Sequence, residues 1–500
     1  MTSALLELDS VTKYFPVKLP TLQRLVMSEP PVVHAVDGVT CSINRGEIFG
    51  LVGESGCGKT TLGRTVVRLV KPTSGRITFD GVDISDLPAL EDHFVVDFLS
   101  RRLRRRSSQR SARSRDPEVL WALRRKIQII FQDPHAALNP AMTIGESIMD
   151  PLLVHRLASP AEARKAVLSI MTEVGLSPAE VLFTKFPSEL SGGQKQRAVI
   201  ARAIILRPAL IVADEPVAML DMSVRARILE LMLDLKNRYG LTYLFITHDL
   251  ATAKFICDRI AIMYLGRIVE IGRADEIYAE PKHPYTQALL GAIPTPEPGR
   301  RRKKALPRGE VPDAIYPPQG CRFHPRCPVA TSTCGWEPED IIDLLDRRAL
   351  EAGVGMRDEE ILGGRRRMRS DGATFRVRLR EPGLTSREQR WLTLAAFVSA
   401  APFLLVNPYA ALTVLLSSLV TIGACETLSR RESSRLNLVR DGAQRVRNHL
   451  ETILRVAPEP LVAAVRAIGV TEKEATVDFV PAVDPGLRDV GGREVRCVLY

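Results

Sequence analysis

Short apolar runs and helical-period stretches alternate along the first half of this chain. Ile48–Val52, Leu210–Ala213 and Tyr243–Thr247 are apolar runs of strand length. Ile127–Phe131 and Ile77–Phe79 read the same way, the last closed by the turn pair Asp80-Gly81. Between them, Thr60–Val70, 191–206 and Val224–Arg238 carry apolar residues at helical spacing. Residues 143–185 are mostly helical in pattern, with Pro151 and Pro160 as breaks. Strands alternating with helices predict an α/β fold on a mainly parallel sheet. Residues 90–125 interrupt the rhythm, being charged and Arg-rich, and read as an insertion.

Beyond about residue 290 the texture changes. Residues 292–318 are rich in proline and basic side chains and read as a linker. A cysteine cluster follows at 321–334, and then a mixed segment, 337–490. Inside that segment lie two apolar runs without a charge, Trp391–Val406 and Pro408–Ala424, joined at the turn pair Asn407-Pro408. Each is shorter than the roughly 20 residues that a membrane span needs. Arg387 and Arg390 precede the pair, and Arg430, Arg431 and Arg435 follow it, which puts both ends on the cytoplasmic side. A helical hairpin over 391–425 that dips into the membrane fits this pattern. The alternatives are a hairpin buried in a small domain and an interface with membrane subunits.

Composition changes the picture in three places. A chain of 500 residues, 45% hydrophobic and 25% charged, is globular and long enough for two or three domains. The net charge of +11 sits in blocks: Arg101 to Arg115, Arg300 to Lys304 and Arg365 to Arg369. Such blocks are solvated loops first, and contacts to anionic lipid or nucleic acid second. Eight cysteines are too few for a disulfide scaffold, yet the three at 321–334 suggest a metal or a cluster. Met1–Asp9 has no basic region followed by an apolar stretch, so the main body is expected in the cytoplasm.

Two stretches carry phosphate chemistry. Gly53-Glu54-Ser55-Gly56-Cys57-Gly58-Lys59-Thr60, with Thr61 behind it, follows an apolar strand and opens a helix. Its glycines let backbone N–H groups turn inward around phosphates, Lys59 adds a point charge, and Thr60 offers a hydroxyl to Mg²⁺. The strand Leu210–Ala213 ends in Asp214 and Glu215, two acids delivered to the same mouth of the sheet. Asp214 would hold Mg²⁺, and Glu215 would orient or deprotonate the attacking water.

The most specific element is Leu190-Ser191-Gly192-Gly193-Gln194, ahead of a helix. Here the chain resembles the ABC ATPase family, whose signature reads LSGGQ. Ser191 and the two glycines make a second phosphate-binding nest. In the family the signature of one subunit closes on the ATP held by its partner, which implies a dimer with two ATPs between subunits. The resemblance implies further roles. Tyr14 matches the aromatic that stacks on adenine. Gln132 matches the glutamine that senses Mg²⁺ and the attacking water and couples to the membrane subunits. Asp221 matches the aspartate that crosses the dimer interface, although Ala218-Met219-Leu220 before it departs mildly from the common pattern. His248 matches the histidine that contacts the γ-phosphate.

Four stretches, starting at Lys13, Gln132, His283 and Gly320, resemble the ATP-binding subunits of oligopeptide/dipeptide importers, a branch that includes nickel importers. The resemblance covers about 1–90 and 125–335. It implies a P-loop ABC ATPase, a RecA-like core sheet with a helical subdomain; the residue pattern adds a C-terminal α+β extension carrying the apolar helical hairpin, a departure from a family whose ATPases are peripheral. The implied domains are 1–290 for ATP binding (helical subdomain about 140–205, insertion about 90–124), 291–336 for linker and cysteine motif, 337–490 as an insertion, and 491–500 as its closing segment. In this branch four cysteines hold a [4Fe–4S] cluster; no cysteine follows soon after Cys334, but Gly492–Tyr500 resembles the branch's closing segment. Cys321, Cys327, Cys334 and Cys497 are therefore the candidate ligands, with zinc or reduced thiols without a metal as the alternatives. The implied partners are a second homologous ATPase (or a second copy), two permeases and an external solute-binding protein, at the cytoplasmic face of the plasma membrane. A soluble ABC ATPase acting on nucleic acid is the rival reading, favoured only by the Arg-rich insertion. A regulatory subunit that never turns over is disfavoured by the intact Glu215 and His248.

Overall fold

The computed structural model describes residues 4–17, 31–88, 116–292, 310–336, 341, 368–371, 374–378 and, apart from 453, 456, 458 and 472–473, 444–499. The arginine run at 101–115 and the apolar stretch 391–425 lie outside these residues. The chain divides into two compact units. One holds Met1–Pro317, Cys321–Pro328 and Pro485–Tyr500; the other holds Pro318–Gly320 and Val329–Asp484.

The first unit is built on two sheets. β1 (Ala4–Pro16), β2 (Val32–Asn44), β4 (Ser74–Phe79) and β5 (Val82–Asp83) form an antiparallel sheet in the order β2-β1-β4-β5. The larger sheet takes β3 (Ile48–Val52), β6 (Ile127–Ile130), β7 (Leu210–Asp214), β8 (Thr242–Thr247), β9 (Arg259–Tyr264) and β10 (Arg267–Arg273). The late strands β15 (Arg488–Asp489) and β16 (Glu494–Val495) extend it, in the order β15-β16-β10-β9-β3-β8-β7-β6. From β9 to β6 every pairing is parallel. β3, β7 and β8 are buried at every position, which is why they read as unbroken apolar runs instead of alternating ones.

Register decides where the chemistry falls. Val52 pairs with Thr247, Asp214 with Ile246, and Ile130 with Ala213. The carboxyl ends of β3, β8, β7 and β6 therefore end side by side, and the loops leaving them share one edge. Open parallel sheets bind ligands at that edge.

The helical subdomain is punctuated by caps. Thr143 and Glu146 form a reciprocal capping box on α2 (Ile144–Val154), and Ser159 and Glu162 another on α3 (Pro160–Glu173), numbering α1 as the earlier helix Lys59–Val66. Pro160 sits at the first helical position, where its missing N–H costs nothing. Pro151 does not break the chain as expected. It lies in the last turn of α2, where only one backbone bond is forfeited, and its carbonyl still accepts from His155 at 3.1 Å.

The second unit contains a four-stranded antiparallel sheet, ordered β11 (Met368–Asp371), β12 (Thr374–Arg378), β14 (Glu474–Phe479), β13 (Val465–Val470). Val377, Ala475, Val477 and Phe479 pack with Trp336, Leu450 and Leu461 in its core. Among the described residues no helix is long and apolar enough to cross a membrane.

Candidate functional site

The loop leaving β3 is shaped by its glycines. Gly58 caps α1 at φ +105°, and a Cβ there would come within 1.9 Å of the Ala35 carbonyl oxygen, so only glycine fits. Gly63 lets α1 lie close on the sheet, since a Cβ would meet Ile246 at 2.7 Å. Gly53 and Cys57 are buried, whereas Ser55 and Gly56 are exposed at the loop's tip. Lys59 is nearly buried and curls back across the loop, donating to the carbonyls of Gly53 at 2.8 Å and Glu54 at 2.9 Å. Its charge sits at the centre of the turn, with the amino end of α1 beside it.

Thr60, in the first turn of α1 behind β3, meets Asp214 at the end of β7; β3 and β7 flank β8 on either side. The Thr60 hydroxyl donates to Asp214 at 3.0 Å. Burial raises the Asp214 carboxyl above its ordinary value, opposed by that hydrogen bond and by Arg64 and Lys59. A hydroxyl and a carboxylate meeting at a phosphate loop are the hard oxygen donors that Mg²⁺ takes. The two residues fit the ion expected from sequence.

Glu215 follows directly, in a left-handed conformation at φ +47° that is unusual for a side chain of this size. Its N–H donates to the Ile246 carbonyl at 2.9 Å, which pins the turn. The turn presents the carboxylate to two partners. Gln132 Nε2, from the loop after β6, donates to one oxygen at 3.2 Å; His248 Nδ1, from the loop after β8, lies 2.9 Å from the other. Gln132 and His248 are exposed and Glu215 is half-buried, so the group opens to solution. The family resemblance implied roles at the ATP for Gln132 and His248 beside Glu215, but the strained turn at Glu215 is legible only in the backbone.

Ser191, Gly192, Gly193 and Gln194 open the helix α4 (Gly192–Ile204). Ser191 and Gln194 cap each other: the Ser191 N–H donates to the Gln194 side chain at 3.0 Å, and the Gln194 N–H to the Ser191 hydroxyl at 3.3 Å. Ser191 and Gly192 are exposed. The same helix grips the segment after Gln132. Lys195 lies 3.1 Å from His135, and Arg202 donates to the Ala137 carbonyl at 2.7 Å. Asp221 stands exposed at the start of α5 (Met222–Tyr239).

Tyr14 lies on β1, paired in register with His34 on β2, and their rings are 4.4 Å apart. Its hydroxyl donates to Asp37 at 2.5 Å, a bond that sequence reading missed. Burial first, and then Asp37, push the phenol up to about 12.

The cysteine expectation is not met. Among the described residues, no group of three or more His, Cys, Asp or Glu side chains is arranged to hold a metal ion. Cys321 belongs to the apolar core of the first unit, and Cys334 accepts the Thr331 N–H at 3.2 Å within its own turn.

Phosphate loop, paired acids, glutamine and histidine at one sheet edge are the parts of a nucleotide hydrolase of the ABC class. Residues 36–218 match the family model described as ABC transporter, and 269–334 match that of the oligopeptide/dipeptide transporter, C-terminal region. The chain is 41% identical over 354 residues to the "Probable peptide ABC transporter ATP-binding protein y4tS" of Sinorhizobium fredii, covering 71% of this chain and 91% of that one. It is 43% identical over 332 residues to the "Oligopeptide transport ATP-binding protein AppF" of Bacillus subtilis, covering 66% and 91%. It is also similar to a solved dimer of the ATP-binding cassette MJ0796 bound to ADP and Pi, with 28% identity, TM-score 0.43, and 54% and 98% coverage. The chain belongs to the ABC transporter ATP-binding proteins of the peptide and oligopeptide type. Neither family match favours the nucleic-acid reading.

Proposed function

We propose that this chain is the ATP-hydrolysing subunit of an ABC importer for peptides or oligopeptides, and that it holds half of each of two ATP sites. The observation that carries the hydrolytic part is the Glu215 carboxylate, held by Gln132 and His248 beside the Thr60–Asp214 pair. The backbone N–H groups of 53–61 and Lys59 bind the phosphates. Gln132 and His248 fix Glu215 so that it orients a water in line with the terminal phosphate and takes its proton. Thr60 and Asp214, with Gln132 near, would hold Mg²⁺, which when bound offsets negative charge on the phosphates.

The exposed Ser191 and Gly192 and the exposed Asp221 support the two-subunit part. The partner is a second homologous ATPase or another copy, and the pair works on two permeases supplied by an external solute-binding protein. The grip of α4 on the segment after Gln132 links the signature to the loop that would face the permeases. On this reading the chain sits at the cytoplasmic face of the membrane. Residues 337–490 are an insertion in a C-terminal segment that resumes at β16, which pairs with β10. Co-expression with two candidate permease subunits, followed by reconstitution into liposomes with a solute-binding protein, tests the reading. ATP-driven uptake of a labelled peptide, lost in Lys59→Ala, is expected; ATP hydrolysis that is indifferent to peptide, binding protein and permeases would contradict it.

A further inference from the structure

Two buried arginines, four residues apart in sequence, reach back from the C-terminal segment to two parts of the nucleotide site. Residues 321–328 belong to the same compact unit as the phosphate loop. Their turn is tied by its own backbone: His324 donates to the Cys321 carbonyl at 2.9 Å, and Arg326 to that of Phe323 at 3.0 Å. Phe323 anchors it, 1% exposed, against Tyr264 and Tyr285 with ring centroids 5.3 Å away in each case. From this anchor Arg326, its side chain 10% exposed, donates to the Glu54 carboxylate at 3.1 Å and to the Tyr264 hydroxyl at 3.4 Å. Glu54 is the second residue of the phosphate loop. Its backbone N–H is held as well, donating to the Tyr285 hydroxyl at 3.1 Å.

Arg322 points the other way. Its side chain is 5% exposed and donates to the Leu265 carbonyl and to Asp37. Asp37 is the residue that accepts the Tyr14 hydroxyl, and it also takes Arg267 Nε at 3.0 Å. A guanidinium is costly to bury unless it is paired. Both of these are paired, and each acid is itself attached to an element of the nucleotide site.

We propose that residues 321–328 position the nucleotide, Arg326 by fixing the phosphate loop through Glu54 and Arg322 by fixing Tyr14 through Asp37. The inference rests on the assignment of 53–61 as the phosphate loop and of Tyr14 as the adenine contact. It gives the C-terminal segment a part in ATP affinity that is separate from any metal. Both arginines are positioning residues and touch no reacting atom.

The test is calorimetric binding of ATP and of inorganic tripolyphosphate to the full-length chain. Arg326→Met is expected to weaken both about tenfold, and Arg326→Lys to restore part of the loss. Arg322→Met is expected to weaken ATP while leaving tripolyphosphate within about twofold, since only the base end is released. Glu54→Gln combined with Arg326→Met should bind no more weakly than Arg326→Met alone. In turnover the loss should fall on KM, with kcat at saturation little changed. Unaltered ATP affinity in Arg326→Met, or additive losses in the double variant, would overturn the proposal. So would a lowered melting temperature with unchanged affinity of the folded fraction, the mark of a purely structural role. Lys59→Ala separates the two layers: if it binds tripolyphosphate like the parent, the phosphate-loop assignment fails and the inference falls with it. If Lys59→Ala loses binding and Arg326→Met does not, the inference alone fails.

Discussion

His248 Nδ1 lies 2.9 Å from a Glu215 carboxylate oxygen although the two residues leave different strands. β7 and β8 are parallel neighbours, and their registered ends bring the two side chains to one edge of the sheet. A base held in this way loses orientation when the imidazole is removed. His248→Ala is expected to lower kcat about a hundredfold, the low end of what positioned acid–base groups contribute, with ATP affinity within severalfold of the parent. Steady-state kinetics and nucleotide binding on the same preparation check both halves. Equal losses in kcat and affinity would instead place His248 in ground-state binding.

His283 predicts an acid-sensitive fold. It is fully buried at the start of α6 (Pro284–Gly291), and its Nδ1 accepts the Tyr285 N–H at 3.1 Å, which requires the ring to be neutral. Burial lowers its pKa to about 3. The unfolded chain takes up the proton below about 6.5 while the folded one does not, so stability is full above that pH. It falls by roughly 1.4 kcal/mol per pH unit below 6.5 until the folded value is reached. His283→Asn keeps an acceptor for Tyr285 and removes the titration. Melting curves from pH 7.5 to 5 should converge as the parent loses stability faster than the variant; parallel curves would remove His283 as the cause.

Ser191 has two duties that substitution should expose together. As a cap its loss costs about 1 kcal/mol, the usual value for a serine replaced by alanine. As part of the phosphate nest it should also lower turnover. Ser191→Gly, which leaves most caps within a few tenths of a kcal/mol, is expected to recover stability without recovering turnover. Recovery of both would leave Ser191 as a cap and nothing more.

Gly58→Ala forces a Cβ into the Ala35 carbonyl at a backbone angle that side chains avoid. A loss of about 1–3 kcal/mol in stability, from strain alone, is expected together with loss of nucleotide binding. Chemical denaturation and ATP titration of the variant read the two effects separately. Normal ATP binding in a folded variant would show that the loop tolerates a shift at the cap.

Much of the ATP site was visible in the sequence because its parts are local. Gly53–Thr60 and Ser191–Gln194 each build a nest from consecutive residues, and strands ending in Asp214 and Thr247 announce themselves by apolar runs. What lay hidden depends on distance along the chain. Arg322 meets Asp37 across 285 residues and Arg326 meets Glu54 across 272, so no spacing could pair them. In the same short stretch the cysteines carry the recognisable motif, while the arginines make the contacts to the nucleotide site. The second unit was legible only as a mixed segment, since β11 to β14 are short and their pairing order crosses the sequence.

ATP turnover by the Glu215→Gln variant tests the central claim most directly. The account predicts that hydrolysis falls to background, since the amide cannot take a proton from water, while ATP binding persists at or above the parent's affinity. Hydrolysis near the parent's rate in that variant would contradict it, because another group would then be activating the water.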